Sequence, residues 1–276
     1  MISEQYKAMR SGKAVIRELS EYATARGKEI GYENVFDYSL GNPSVAAPKA
    51  YNDALIDLIQ HGDPMLVHGY SPSLGIPSVR EAIAQSLNRR FGMDYKGEDI
   101  FMTSGAAGAL AHAFRLVTAP GDEILTFAPF FPEYNPYVNL TGAKLRVVPA
   151  SFADFQINFD AFEEMLTEKV HAVLVNTPNN PSGIAYTAKT LETLASILTE
   201  KEKQFGHEIW LISDEPYREL VYADVQVPYL MNYYDNTLVC YSYSKSLSLP
   251  GERIGYIAVC PAMEDCKNVY LAICGA

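Results

Sequence analysis

Short apolar runs alternate with longer amphipathic or apolar stretches from about residue 99 onward. The runs are five to seven residues long, which is the usual length of β-strands. They predict strands over 99–103, 123–127, 144–149, 170–176, 208–213, 237–243 and 255–260. Between them, the pattern predicts helices over 105–117, 159–166 and 187–204. Because strands that alternate with helices are joined by right-handed crossovers, we expect an α/β fold with a largely parallel sheet.

The first hundred residues follow a different pattern. Residues 4–26 predict a mostly polar helix, whereas residues 31–48 are interrupted by Gly and Pro and are expected to be extended. Two amphipathic helices are predicted over 49–60 and 76–91. In the second of these, apolar residues recur at spacings of three and four, namely at Ile76, Val79, Ile83 and Leu87.

A ligand is expected at the loops that directly follow the predicted strands. Open sheets of this kind bind ligands beyond the carboxyl ends of their strands. The loops in question are 104–108, 129–134, 177–183, 214–217 and 242–245. The second of them begins an aromatic, proline-rich segment, PFFPEYNPY, which we expect to be a loop throughout. All five loops should therefore crowd one face of the molecule.

Composition and charge exclude several classes of protein. The 276 residues carry a formal net charge of −11, which argues against a nucleic acid or an anionic membrane surface as the main partner. No apolar run approaches the roughly 18 residues of a membrane span, and the N-terminus lacks the apolar segment of a signal peptide. The four cysteines match no zinc-ligand spacing, so we expect buried, reduced thiols, no metal and a cytoplasmic location.

Two of the loops each have two interpretations. The sequence SGAAG at 104–108 joins a strand to an apolar helix, where small residues let backbone N–H groups approach a phosphate. The alternative is a tight turn that only packs the helix against the sheet. Asp214 follows an apolar strand and is either a functional ligand or the N-cap of a helix, with Tyr217 three residues further on.

Lys245 ends another apolar strand, where a charged amine is costly unless it is solvated or functional. Ser242 and Lys245 formally match the S-x-x-K motif of serine β-lactamases, but the chain lacks the K-T-G element that such enzymes also need. The other interpretation is a lysine that binds a carbonyl cofactor through its deprotonated amine.

The residues around Lys245 favour the second interpretation. They read SYSKSLSLPGERIG, with Ser242 three residues before the lysine and Arg253 eight residues after it. This string resembles the pyridoxal-phosphate attachment signature of the class I and II aminotransferases and fills each of its defined positions.

Other positions resemble the same family in the family's order, from about residue 30 to the end of the chain. They are Gly41 in a G-N-P loop, Tyr70, the turn Gly105–Ala107, Phe131, Asn180 in N-P-S-G, and the pair Asp214 and Tyr217. The resemblance implies that Asp214 pairs with the protonated ring nitrogen of pyridoxal 5'-phosphate and that Phe131 stacks on the ring. Asn180 and Tyr217 would bind the ring oxygen.

The resemblance also implies a phosphate site and a proton-transfer group. The phosphate would be bound by Gly105, Ala106, Ala107, Ser242, Arg253 and, from a neighbouring subunit, Tyr70. Lys245 would hold the cofactor and then act as general base and acid at the substrate α-carbon. With Asp214 and Tyr217 it forms the expected catalytic set. Gly41 and Asn180 are the expected substrate-binding residues, with Gly41 against the substrate carboxylate.

From this resemblance we expect a mixed, mostly parallel sheet sandwiched by helices, as in the large domain of these enzymes. Residues 1–45 would form an N-terminal arm and part of a small domain, and residues 46–276 the cofactor-binding domain. The C-terminal small domain, with the arginine that pairs with the substrate carboxylate, is expected beyond Ala276. The expected activity is amino-group transfer between an amino acid and a 2-oxo acid by a homodimer. The alternatives are carbon–sulfur cleavage or decarboxylation on the same fold, or a non-catalytic cofactor-binding fragment.

Overall fold

The computed structural model of the protein describes Lys7 and residues 15–275, which fall into two compact units with the boundary between Ala46 and Ala47. The first unit contains helix α1 (Val15–Ile30) and a single 3₁₀ turn at Tyr32–Asn34. Most of the helix predicted before residue 15 lies outside the described residues. From residue 35 to the boundary the chain has no regular secondary structure, as expected for the segment broken by Gly and Pro.

Within its described residues, the second unit is built on one seven-stranded sheet. The strands are β1 (Ile100–Thr103), β2 (Glu123–Phe127), β3 (Lys144–Val148), β4 (Val170–Asn176), β5 (Trp210–Asp214), β6 (Thr237–Ser242) and β7 (Gly255–Val259). Their order is β1-β7-β6-β5-β4-β2-β3. The strands from β2 to β6 pair in parallel, whereas β7 is antiparallel to both of its neighbours. The prediction of a mixed, mostly parallel sheet is confirmed.

Nine helices of the second unit lie within the described residues. They are α2 (Lys49–His61), α3 (Pro64–His68), α4 (Pro77–Phe91), α5 (Gly105–Val117), α6 (Tyr134–Asn139), α7 (Phe159–Met165), α8 (Ala188–Phe205), α9 (Tyr243–Ser246) and α10 (Cys266–Gly275). Every helix of the described residues is too short or too polar to cross a lipid bilayer.

Helix α6 contradicts the prediction that residues 129–137 form a loop throughout. Its proline, Pro136, is the third residue of the helix, where the backbone N–H would have no partner within the helix. A proline at that position is therefore tolerated, although its presence in the sequence suggested a loop. The helix directs Tyr134 and Val138 into the core, where both are buried.

Alternating residues of the strands bury two separate apolar clusters, one on each face of the sheet. On β4, Ala172 and Leu174 belong to the cluster that α4, α5, α6 and α10 cover. Val173 and Val175 belong to the other cluster, which α7 and α8 cover. Since neighbouring strand residues point to opposite faces, this division shows that helices sandwich the sheet.

The cysteines are only partly as expected. All four are free thiols, and Cys240 and Cys260 are buried. Cys266 and Cys274 are half-buried, because they lie on α10 at the surface of the helical layer. For these two residues the prediction of burial is wrong.

The parallel strands end at one edge of the sheet, and this edge positions the site. In the register of the sheet, Asn176 at the end of β4 lies beside Asp214 at the end of β5. Asp214 in turn lies beside Cys240, two residues before the end of β6. The loops that follow β4, β5 and β6 therefore begin next to one another.

Candidate active site

A pocket lies at the carboxyl edge of β4 and β5. Its walls are formed by Ala106, Ala107, Leu110, Phe131, Tyr137, Asn176, Asn180, Asp214, Pro216 and Tyr217. Six of these are residues that the sequence predicted for the site, namely Ala106, Ala107, Phe131, Asn180, Asp214 and Tyr217. The structure thus brings together side chains from four of the five loops that follow the strands.

Asp214 is the most unusual charged group of the pocket. Its carboxylate is buried, and Oδ2 accepts a hydrogen bond of 2.6 Å from the hydroxyl of Tyr134, whereas Oδ1 has no hydrogen-bond partner. Burial raises the pKa of Asp214 to about 7, an effect that the Tyr134 hydrogen bond opposes. A turn and not a helix follows Asp214, so the alternative interpretation of this residue as a helix N-cap is wrong.

Asn176 connects three residues of the site. Its Nδ2 donates to the backbone oxygen of Asp214 at 2.8 Å, and its Oδ1 accepts from the backbone N–H of Asn180 at 2.7 Å. Asn180 Nδ2 in turn donates to the Tyr217 hydroxyl at 3.2 Å. Burial, and after it the negative charge of Asp214, raises the pKa of Tyr217. The two groups expected to bind a ring oxygen are therefore neighbours, and both are held in register with Asp214.

The turn at the start of α5 is closely packed. Gly105 has a φ of 73°, and a Cβ atom added to it would lie 2.9 Å from Nη2 of Arg253. At Gly255, an added Cβ would lie 2.4 Å from the backbone oxygen of Tyr241 and 2.8 Å from Gly105. Small residues thus let Arg253 approach the N-terminal end of α5, where backbone N–H groups and the helix dipole favour an anion.

Ser242 and Lys245 lie at the end of β6 and in the short helix α9. Ser242 Oγ accepts a hydrogen bond from the backbone N–H of Ser244 at 3.0 Å and donates one to the Ser244 hydroxyl at 2.7 Å. Burial lowers the pKa of the Lys245 amine. A lowered pKa increases the fraction of the unprotonated amine, which is the nucleophilic form.

These residues fit pyridoxal phosphate. The buried Oδ1 of Asp214 lacks a donor, and a protonated pyridine nitrogen is a donor of suitable charge. The aromatic side chain of Phe131 forms part of the same pocket. Arg253 beside Gly105 could provide a cation for the phosphate group, and Lys245 could provide an amine for the aldehyde.

Two predicted residues are outside this group. Tyr70, between α3 and α4, is fully exposed at 108% and does not line the pocket. This is compatible with its expected contact with a neighbouring subunit, which stays a prediction. Gly41 belongs to the first unit, and its expected position beside the substrate also stays a prediction.

Sequence reasoning missed two residues of the site. Asn176 could have been found, because it ends an apolar strand just as Asp214 does. Tyr134 lies in the segment that was expected to be a loop, but its side chain is buried and contacts Asp214. No sequence signal identifies this contact, since it depends on how α6 packs against β5.

The chain is similar to known aminotransferases in sequence. The family model of aminotransferase class I and II matches residues 33–270. An aspartate aminotransferase of Thermotoga maritima is 32% identical over 228 residues, which are 82% of this chain and 58% of the relative. A probable N-acetyl-LL-diaminopimelate aminotransferase of Bacillus subtilis is 30% identical over 82% of this chain and 55% of the relative. The chain therefore spans less than two-thirds of the length of these curated relatives.

Solved structures show the same similarity. An amino transferase of Eubacterium rectale superposes on all of this chain, and on 69% of its own, with a TM-score of 0.96 and 46% identity. The aspartate aminotransferase of Thermus thermophilus with maleate covers all of this chain at a TM-score of 0.85 and 25% identity, over 67% of its own length. From the family match over most of its length and from these similarities, the chain belongs to the class I and II aminotransferase family.

Proposed function

We propose that the protein binds pyridoxal 5'-phosphate and transfers an amino group between an L-amino acid and a 2-oxo acid. The observation that carries the proposal is the buried, unpaired Oδ1 of Asp214 in a pocket that Phe131, Asn180 and Tyr217 also line. The family and the names of the relatives support the reaction type.

Different residues of this chain would bind different parts of the cofactor. Asp214 would pair with the ring nitrogen, Phe131 would stack on the ring, and Asn180 and Tyr217 would bind the ring oxygen. The phosphate would be bound by the backbone N–H groups of Gly105, Ala106 and Ala107 and by the side chains of Ser242 and Arg253.

Lys245 supplies the proton transfer. When bound, pyridoxal phosphate acts as an electron sink for negative charge at the substrate α-carbon. The Lys245 amine would hold the cofactor and, once displaced by the substrate amine, would carry a proton between the substrate α-carbon and the cofactor carbon, which the transfer of an amino group requires. Its lowered pKa suits this role, because the base must be unprotonated near neutral pH.

A second copy of the chain is the proposed partner, with Tyr70 of the partner subunit reaching the phosphate. Support comes from the exposed side chain of Tyr70 and from exposed apolar side chains on the neighbouring helices. On α2 and α3 these are Ile56, Ile59, Met65 and Leu66. An apolar surface of this kind is typical of a protein interface. The cytoplasmic location is likewise part of the proposal.

Absorbance spectroscopy tests the function. Purified protein is mixed with pyridoxal phosphate, scanned, reduced with borohydride and mapped by peptide analysis. We expect a band of lysine-bound cofactor, a label on Lys245, and loss of both in Lys245→Ala but not in Lys189→Ala, which alters an exposed lysine of α8. Addition of an amino acid should then convert the cofactor to its amino form.

Other results would contradict parts of the proposal. Release of a 2-oxo acid together with ammonia would indicate a lyase. Evolution of carbon dioxide would indicate a decarboxylase. A cofactor band that no amino acid changes would indicate a cofactor-binding fragment, and absence of any label on Lys245 would overturn the site itself.

A further inference from the structure

The hydroxyl of Tyr134 contacts the buried carboxylate of Asp214, which the proposed function pairs with the ring nitrogen of the cofactor. Tyr134 is the first residue of α6 and is 1% exposed. Its ring packs edge-on against Phe131, with centroids 5.6 Å apart, and its hydroxyl donates to Oδ2 of Asp214 at 2.6 Å. Among the described residues, no other group donates a hydrogen bond to this carboxylate.

We propose that Tyr134 is a positioning residue that keeps the Asp214 carboxylate ionised and leaves Oδ1 as the oxygen that pairs with the cofactor. The inference rests on the proposed function, and it adds a residue that contacts neither the substrate nor the reacting atoms. By occupying Oδ2, the hydroxyl fixes the orientation of the carboxylate about its axis. By donating a hydrogen bond, it stabilises the charged form against the cost of burial.

The surroundings of Asp214 make this hydrogen bond important. Its titratable neighbours among the described residues are Tyr134, Tyr137, Tyr217 and Cys240. Each of these is neutral near pH 7, because burial raises the pKa of every one of them. Among the described residues, no cationic side chain contributes to the pKa of this carboxylate, and the Tyr134 hydroxyl is the group that opposes its neutralisation.

The test removes this hydroxyl alone. Tyr134→Phe keeps the ring and its packing against Phe131. The matched control is Tyr234→Phe, which removes another buried tyrosine hydroxyl, one that donates to the backbone oxygen of Ile209 at 2.7 Å beside the opposite end of β5. In cofactor-free protein, the ionisation of Asp214 is followed by the infrared band of its protonated carboxyl, identified by its loss in Asp214→Asn. In a second measurement, pyridoxal phosphate is titrated into each protein and its absorbance is recorded.

We expect the ionisation midpoint of Asp214 to rise by about one pH unit or more in Tyr134→Phe, which corresponds to about a tenfold change in the protonation equilibrium. The dissociation constant for pyridoxal phosphate should increase by about tenfold, which is of the order expected for a hydrogen bond to a charged group. The control should match the parent protein in both measurements, even where both variants lose some thermal stability.

The outcomes separate this inference from the proposed function. If the parent protein binds no pyridoxal phosphate, the proposed function is overturned, whatever the infrared midpoint does. If the parent protein binds it, and Tyr134→Phe leaves the midpoint and the affinity unchanged, only the role of Tyr134 is overturned. Equal shifts in Tyr134→Phe and Tyr234→Phe would also overturn it, because a general loss of packing would then explain the effect.

Discussion

At the scale of single residues, the Asp214 carboxylate of the site lowers the free energy of unfolding of the protein when no ligand is bound. Asp214 carries a buried carboxylate with an unpaired oxygen, and the chain tolerates this cost where a hydrophobic residue would be more stable. A buried carboxylate with one unpartnered oxygen has no evident structural benefit, and this points to a functional role for Asp214.

This cost predicts a stabilising substitution. Because the pKa of Asp214 is raised from 3.8 to about 7, the folded cofactor-free protein loses stability as the pH rises from about 4 to about 7. Asp214→Asn removes the charge, so it should be more stable than the parent at pH 8, by up to about 4 kcal/mol, and the gain should fall to below about 2 kcal/mol at pH 5. Urea unfolding of cofactor-free protein at the two pH values measures this.

The exposed substitution Asp224→Asn serves as the control, since it removes the same charge from the surface. The prediction fails if Asp214→Asn is destabilised at pH 8, or if its gain is equal at both pH values. Added pyridoxal phosphate should stabilise the parent but not Asp214→Asn.

A second residue-scale prediction concerns Gly105. Gly105→Ala should destabilise the fold by about 1 kcal/mol, because the φ of 73° disfavours any residue with a Cβ atom. It should also weaken the binding of pyridoxal phosphate, since the new methyl group would displace the guanidinium of Arg253. Gly206→Ala is the control for backbone strain, because Gly206 has a φ of 74° but no atom lies within 4 Å of an added Cβ.

Thermal unfolding and a cofactor titration of both glycine variants separate the two effects. We expect similar losses of stability, and a loss of affinity in Gly105→Ala alone. Unchanged affinity in Gly105→Ala would show that Arg253 is not needed at this position.

At the scale of secondary-structure elements, the pocket depends on the register between β4 and β5. Asn176 at the end of β4 bonds the backbone of Asp214 on β5 and of Asn180 in the following loop. The side chain therefore links Asp214 and Asn180, the proposed partners of the ring nitrogen and the ring oxygen.

Asn176→Ala should cost about 2 kcal/mol of stability, because it removes hydrogen-bond partners from the buried Asp214 carbonyl and the half-buried Asn180 N–H. It should also raise the dissociation constant for pyridoxal phosphate severalfold. Thr126→Val is the control, since it removes a buried hydrogen bond of 3.1 Å from Thr126 on β2 to the backbone of β4 without altering the pocket. Urea unfolding and absorbance titration are the measurements, and equal losses of affinity in the two variants would contradict the prediction.

Most of these elements could be predicted from the sequence, and the exceptions have physical reasons. The strands were found to within about two residues because their apolar runs are buried on both faces of the sheet, as parallel strands usually are. Helix α6 was missed because its proline is typical of a loop. Lys245, Arg253 and Asp214 were identified because they lie in short motifs that resemble those of the family, whereas Tyr134 and Asn176 act through contacts that exist only after the elements pack.

At the scale of the whole molecule, the expected sharing of Tyr70 between subunits can be tested by complementation. Tyr70→Phe should bind pyridoxal phosphate weakly, and Lys245→Ala should not bind it covalently. A hybrid of the two chains combines Lys245 of one subunit with Tyr70 of the other, so one of its two sites should bind with the affinity of the parent. Titration of the purified hybrid, with mixed but unassembled proteins as the control, measures this.

If the hybrid binds no better than the Tyr70→Phe protein, then Tyr70 does not act across an interface. Sedimentation of the parent protein supplies an independent check, since a monomer at all concentrations would also exclude the shared site.

The position of β7 in the sheet has a consequence for how the chain folds. This strand, the last among the described residues, lies between β1 and β6 and pairs with both. Because the ribosome synthesises the chain from the N-terminus, β1 cannot pair with β7 until more than 150 further residues have been made. Gly105, which follows β1, meets Gly255 and Arg253 only when β7 arrives. Such distant pairing slows folding, so the proposed phosphate site of a nascent chain is complete only after β7 has been made, and binding of the proposed cofactor would report that synthesis has passed β7.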